Sequence, residues 1–332
     1  MISFQNIELG AIAAAVPARK ASLEDFAEQF GHRNVERIAD STGIRSVRVA
    51  GHLSTGDLCE AAARSLFDAT GTAASDIHAV VVITQTPDDL MPGVAFKLQH
   101  RLGLREGCLA FDINQGCTGY IYGLLQACML VNAGCAQVLL CTGDVASKLL
   151  DAGDRNVRMV FGDAATATIV RAGAGRMEFE VKSDGGGRDS LYTPVSYQDS
   201  PQQGGRVGRL HMEGKDIMNF ALTRVPPVIA ELCEQTRTGP DEMDLVVFHQ
   251  ANKFMVNYLR KLIGLSQDVV PVDMEEYGNT GPSSIPLLLA NRGNDFPRRA
   301  QALLCGFGIG LSIGAVKVDL SGTAFVPPVD VH

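Results

Sequence analysis

Tryptophan is absent from this 332-residue chain, and aromatic residues make up only 6% of it. No indole is therefore available to any binding site. There is no excess of basic charge: 29 lysines and arginines face 37 acidic residues, for a net charge of −8. That balance argues against a nucleic-acid partner held by bulk charge. The eight cysteines contain no CxxC pair and no zinc-finger spacing. In a chain of this length such thiols are expected to be reduced and mostly buried, as in the cytoplasm, with no metal bound. No apolar run reaches membrane length, and the longest, Thr118 to Ala133, is broken by Gln126 and Asn132. The start, MISFQNIELGAIAAAVPARK, has no basic residue ahead of its apolar stretch and does not read as a signal peptide. What is present is apolar bulk. Hydrophobic residues at 46% and charged residues at 20% support a large core, in one α/β unit or two closely packed halves.

Three segments of the first half have weak echoes in the second, in the same order. DIHAVVVITQT (Asp76–Thr86) resembles EMDLVVFHQAN (Glu242–Asn252), FDINQGCTG (Phe111–Gly119) resembles VDMEEYGNTG (Val272–Gly281), and AQVLLCTGD (Ala136–Asp144) resembles AQALLCGFG (Ala300–Gly308). Each piece opens on an apolar run and ends at a Gly, Thr or Asn turn. Helical patterns lie between, over 56–69, 119–133, 220–233, 253–265 and 283–291. Alternating strands and helices predict sheets covered by helices. Nearly continuous apolar strands such as HAVVVIT predict burial on both faces. The expected architecture is two similar α/β halves, residues 1–175 and 176–332, whose strand ends meet. Ligands in such folds bind at strand C-terminal ends.

Three chemistry-bearing residues fall at those ends. Cys117 sits between a strand-like run and a long apolar helix, where unpaired N–H groups and the helix dipole favour a thiolate. His249 follows the run Asp244–Phe248, and Asn279 lies in YGNTGPSS ahead of another helix. Taken singly, each has an ordinary reading as a core thiol, a strand-end histidine or a turn residue. The duplication predicts that they converge. A thiolate can take an acyl group from a thioester. Imidazole and carboxamide N–H groups can then stabilise the enolate left when a malonyl thioester loses carbon dioxide. In the loop CGFGIGLSIGA, an N–H near Gly308 or Ile309 is expected to pair with the Cys117 amide as an oxyanion hole. A cluster of Lys215, Lys253, Arg260 and Lys261 is a candidate docking patch for an acidic carrier protein, or simply a solvated helix face.

FDINQGCTGYIYGL, FHQAN, YGNTGPSSIP and GFGIGLSIGA, together with STGIRSVRV and DRNVRMVFGD, resemble the β-ketoacyl-acyl carrier protein synthase III family of thiolase-like condensing enzymes. The resemblance runs through nearly the whole chain. It implies an α/β thiolase-like fold of five αβαβα layers, in a cytoplasmic homodimer of fatty-acid initiation or a related specialised pathway. It implies acyl-CoA or acyl-carrier protein and malonyl-carrier protein as substrates, and no cofactor. By resemblance Cys117 is the nucleophile, His249 and Asn279 are the decarboxylation pair, and Phe307 lies beside the thiolate. Arg37, Arg155 and Asn252 are offered to CoA or phosphopantetheine. The chain departs from the family where a tryptophan and an arginine hold the CoA adenine, positions that read Arg37 and Ser41 here, and where a further arginine is replaced by Phe254. These departures leave either CoA or a carrier protein as donor of the first acyl group. Met91 stands where the family lends a side chain to the partner's acyl pocket. Two other readings remain: an acyltransferase that passes the acyl group to an alcohol or amine, and a non-catalytic partner subunit. The first has no use for Asn279, and the second none for the three reactive residues together.

Overall fold

The computed structural model describes residues 1–196, 206–297 and 300–332. Nine strands form one hydrogen-bonded array. In chain order they are β1 (Ile2–Pro17), β2 (Ala79–Ile83), β3 (Leu109–Ile113), β4 (Gln137–Asp144), β5 (Ala164–Ser183), β6 (Leu245–Phe248), β7 (Gln301–Gly308), β8 (Ser312–Asp319) and β9 (Ala324–Val331). The order across the array is β6-β7-β8-β5-β4-β2-β3, with β1 against β5 and β9 against β1. Six main helices pack on it: α1 (Thr55–Thr70), α2 (Val94–Arg101), α3 (Gly119–Asn132), α4 (Gly214–Thr236), α5 (Lys253–Ile263) and α6 (Ser284–Arg292).

The period-2 alternation of each strand explains the layering. Ala79, Val81 and Ile83 of β2 face a central core that also holds Val138 and Leu140 of β4, Leu245 and Val247 of β6, and Ala302 and Leu304 of β7. The intervening Val80, Val82, Leu139 and Cys141 face an outer core under α1 and α2. On the opposite outer side, Val246, Phe248, Leu303 and Cys305 pack under α4 and α5. The central core is filled by α3 and α6. The result is the expected five-layer α/β arrangement, with strands buried on both faces and α3 apolar nearly all round.

Two long strands tie the layers together. β5 pairs with β4 through Ala164–Arg171 and with β8 through Met177–Ser183. β1 follows it throughout, with register shifts between Gln5 and Ile7 and between Leu9 and Ala11. β5 thus runs across the 175/176 boundary drawn from the sequence.

One expected element is missing. The duplication places a strand ahead of Asn279, equivalent to β3, but no strand forms over 269–273. Pro271 removes a donor there, and what remains of the pairing is a bond from Val246 N to Val269 O (2.7 Å). The helix expected over 220–233 also begins earlier, at Gly214.

Candidate active site

Cys117 ends the turn between β3 and α3, two residues before the helix begins. His249 follows β6 directly, and its amide donates to Cys305 O of β7 (2.8 Å). Asn279, lacking a strand of its own, is clamped by Phe161: its N–H donates to Val160 O (2.7 Å) and its carbonyl accepts from Gly162 N (3.0 Å). Glycine is required at 162 because a Cβ would lie 2.0 Å from Tyr277 O. The start of α6 is fixed to the first half by hydroxyls. Ser283 Oγ donates to Ala164 O (3.3 Å) and shares a hydrogen bond with Thr142 Oγ1 (3.0 Å).

These anchors bring the three residues to one place. The β7 terminus passes so close to the nucleophile that a Cβ on Gly308 (φ +146°) would sit 3.0 Å from Cys117 Sγ. Its neighbour Phe307 meets the His249 ring edge to face, at 5.6 Å between centroids. The His249 Nδ1 is 2.7 Å from Ser284 Oγ, on the helix that Asn279 precedes. The Asn279 Oδ1 accepts from Gly281 N (3.0 Å), which turns its amide nitrogen away from that contact. Sulfur and imidazole are therefore linked through the neighbouring Gly308 and Phe307, and Asn279 lies five residues ahead of Ser284, the partner of the imidazole.

Burial holds His249 as the neutral imidazole, its pKa pushed down to about 3. Ser284 then decides which nitrogen carries the proton. Its Oγ accepts from Gln250 N (3.3 Å) and lies within hydrogen-bond distance of Nδ1. In the tautomer where Ser284 donates to Nδ1, Nε2–H is left as the free donor. Nothing in the sequence marked Ser284 beyond a polar residue at a helix start.

The thiol departs from expectation. Burial pushes Cys117 up to about 11, against the pull of the Ile309 and Cys117 amides, and the nearby Asp144 carboxylate adds to the upward push. The helix N-terminus does not outweigh desolvation in the free protein. Asp144 was also unmarked by sequence. It is buried and held up to about 6, and its Oδ1 accepts from Thr84 Oγ1, Gln85 N and Thr86 Oγ1.

A cavity of about 770 Å³ reaches Cys117. Its walls mix apolar side chains such as Leu149, Phe161 and Leu210 with the polar Gln85, Asn114 and Asp144. His249 and Asn279 are not among the residues that line it. Met91 lies in the loop at its mouth, 76% exposed.

The outlying candidates are dispersed. Asn252 caps α5, its Oδ1 accepting from Met255 N (2.8 Å). Arg37 is exposed on the helix His32–Thr42, which packs against α5. Arg155 opens the short helix Arg155–Arg158. Lys215, Lys253 and Lys261 are exposed, while Arg260 is half-buried and spends its Nη1 on Leu265 O (2.9 Å). The Lys253 stem packs over Gly43, where a Cβ would lie 2.7 Å from it. Sequence reasoning missed an exposed apolar row beside these lysines: Phe254, Tyr258 and Leu262 on α5. Among the described residues no group of three or more His, Cys, Asp or Glu is placed to hold a metal, and no helix is long and apolar enough to cross a membrane.

Comparison with known proteins agrees with this geometry. Residues 111–185 match the model of the family described as 3-oxoacyl-[acyl-carrier-protein (ACP)] synthase III, and residues 233–320 match that of its C-terminal part. The β-ketoacyl-[acyl-carrier-protein] synthase III of Agrobacterium fabrum is 33% identical over 315 residues, covering 91% of this chain and 96% of its own. That of Latilactobacillus sakei is 34% identical over 325 residues, covering 94% and 98%. The crystal structure of a 3-oxoacyl-(acyl-carrier protein) synthase from Burkholderia xenovorans superposes with a TM-score of 0.94 at 33% identity, covering 99% of this chain and 98% of its own. A priming β-ketosynthase from a polyketide biosynthetic pathway reaches 0.86 at 28% identity, with 97% of each chain covered. The chain belongs to the 3-oxoacyl-[acyl-carrier-protein] synthase III family of thiolase-like, acyl-transferring condensing enzymes.

Proposed function

We propose that this enzyme joins an acyl group held on Cys117 to a malonyl group held on an acyl carrier protein, by decarboxylative Claisen condensation. The carrying observation is the approach of Cys117 and His249 through Gly308 and Phe307, with Asn279 just ahead of the helix whose Ser284 holds His249. Cys117 Sγ attacks the carbonyl carbon of an acyl thioester, and the donor thiol leaves with the proton that the cysteine gives up. The amides of Cys117 and Ile309 hold the oxyanion of that step. A malonyl thioester then places its carbonyl oxygen between His249 Nε2–H and the Asn279 amide. Carbon dioxide departs, and the electron pair left behind forms an enolate held by those two donors. The enolate carbon attacks the acyl-cysteine, the carbon–sulfur bond breaks, and the departing thiolate takes a proton from water to restore the thiol. A histidine held neutral suits this task, because it donates without competing for the proton of an incoming group. No cofactor enters the sequence.

The partners follow from the surface. β3 is a sheet edge without a neighbouring strand among the described residues, and Leu90, Met91, Phe96 and Leu109 expose large apolar side chains around it. A second copy pairing at this edge covers them and closes the cavity mouth. Lys215, Lys253 and Lys261 take no ion pair among the described residues, and with the exposed row Phe254, Tyr258 and Leu262 they suit an acidic carrier protein in the cytoplasm.

The test is direct. The purified protein is incubated with acyl thioesters, and the adduct on Cys117 is identified by mass spectrometry before malonyl-carrier protein is added. Carbon dioxide release with a product two carbons longer is expected. Transfer of the acyl group to an added alcohol or amine, without decarboxylation, would overturn the assignment.

A further inference from the structure

The two amides assigned to the oxyanion come from opposite halves of the chain. One belongs to Cys117, ahead of α3, and the other to Ile309, after β7. Their separation is not set by a common element, so something must fix it. A pair of buried hydroxyls lies between them. Thr118 follows the nucleophile and is wholly buried, and its Oγ1 meets Ser312 Oγ, which is 3% exposed. Ser312 Oγ in turn donates to the Ile309 carbonyl (2.8 Å). Proton accounting gives the chain one direction. Ser312 has a single hydroxyl proton, and Ile309 O takes it. Thr118 is therefore the donor to Ser312.

We infer that Thr118 and Ser312 are positioning residues that set the spacing and aim of the Cys117 and Ile309 amides. The inference rests on the oxyanion role proposed above. The hydroxyl chain begins on the residue bonded to the nucleophile and ends on the backbone of the second donor. It grips Ile309 at its carbonyl, which restricts rotation of that residue and so the direction of its N–H. Holding the loop in the fold does not depend on it. Two backbone bonds, Asp184 N to Leu311 O (2.7 Å) and Leu311 N to Asp184 O (2.9 Å), already tie the loop to the end of β5. What the hydroxyls add to the packing of Gly308 on Cys117 is a hydrogen-bonded, directional link. Oxyanion donors act only at the right distance from the forming charge, and a displaced donor loses much of its effect.

The experiment compares two reactions of one thiol. Acylation by a thioester passes through an oxyanion, whereas alkylation by iodoacetamide displaces iodide and forms none. Ser312→Ala and Thr118→Val are each expected to slow acylation of Cys117 roughly 10- to 100-fold, with a clearly smaller fall in iodoacetamide alkylation, because the Ile309 amide also draws the thiol toward the thiolate. Ser312→Thr, which keeps a hydroxyl, is expected to acylate within a few-fold of the parent. An equal fall in both reactions would show that the hydroxyls serve the thiol or the fold instead, and unchanged acylation would remove the role altogether. If one variant fails to fold, the other and Ser312→Thr still decide the point. Failure of the parent protein to form any acyl-Cys117 would count against the proposed function itself, a result separate from any difference among variants.

Discussion

Replacing Ser284 with alanine is expected to separate the two half-reactions. The substitution deletes one oxygen and leaves two buried groups without their partner: His249 Nδ1, formerly at 2.7 Å, and Gln250 N, formerly at 3.3 Å. Both residues are only 1% exposed, so water does not readily replace the lost contact. An unmet buried polar group costs about 1–3 kcal/mol, and the longer of the two bonds belongs at the low end. The imidazole also loses the one hydrogen bond made by its Nδ1. If that whole cost appears in the step that uses Nε2–H, decarboxylation slows roughly 5- to 150-fold. Acylation of Cys117 does not use this donor and stays within about twofold. The assay follows carbon dioxide released from a labelled malonyl thioester, and acyl-Cys117 in a separate timed reaction by mass spectrometry. Urea unfolding reports the stability change on the same samples. A variant that loses stability yet decarboxylates at the parental rate would show that the hydroxyl only supports the fold. Equal losses in both half-reactions would show a general distortion.

Further outcomes follow from the same site. Gly308→Ala puts a methyl group 2.9 Å from Cys117 Cβ at a φ of +146°, so stability should fall by about 1–3 kcal/mol and acylation by at least about tenfold; an alanine variant acylating normally would contradict the close approach. With Cys117 held up near 11, alkylation by iodoacetamide should rise roughly tenfold per pH unit from about pH 7 to 10, and a plateau near neutrality would disprove the half-buried, protonated thiol. His249 stays neutral down to about pH 3, whereas an unfolded histidine takes up a proton below 6.5. The unfolded state then binds more protons, so stability falls with pH below 6.5, by about 2 kcal/mol at pH 5. His249→Gln should abolish that portion of the acid sensitivity in urea unfolding, and an unaltered pH dependence would refute it. If the proposed dimer forms at the β3 edge, Leu109→Arg there should shift sedimentation from dimer to monomer, while a dimer of parental affinity would place the interface elsewhere.

The layered fold was readable because its signal is periodic and repeated. Alternation in HAVVVIT and AQALLCG assigns each side chain to one of two cores, and the duplication pairs the strands that carry them. Cys117 and His249 were legible for the same reason, since each follows a strand whose echo occurs in the other half. Asn279 was found by the echo, although its supporting strand does not form; the Phe161 bridge that replaces it is a contact 118 positions away and leaves no local pattern. The thiol's protonation was misjudged because helix position is visible in sequence and desolvation is not. Ser284, Ser312 and Asp144 escaped notice because a hydroxyl or carboxylate at a turn has many ordinary uses. Only three-dimensional proton accounting separates these from the rest. The basic cluster was overcounted for a similar reason, as Arg260 is turned toward its own helix end.

The continuity of β1 and β5 through both sheets has a consequence for how this molecule can be divided. A break between Gly175 and Arg176 would sever β5 within one strand, and each fragment would carry a stretch whose hydrogen-bonding mates lie on the other. The last strand adds to the entanglement, because β9, at the far end of the chain, lies parallel to Ala11–Pro17 near its start. Halves stitched together in this way are not separable, and the thiol and its helpers are kept in register by the same stitching.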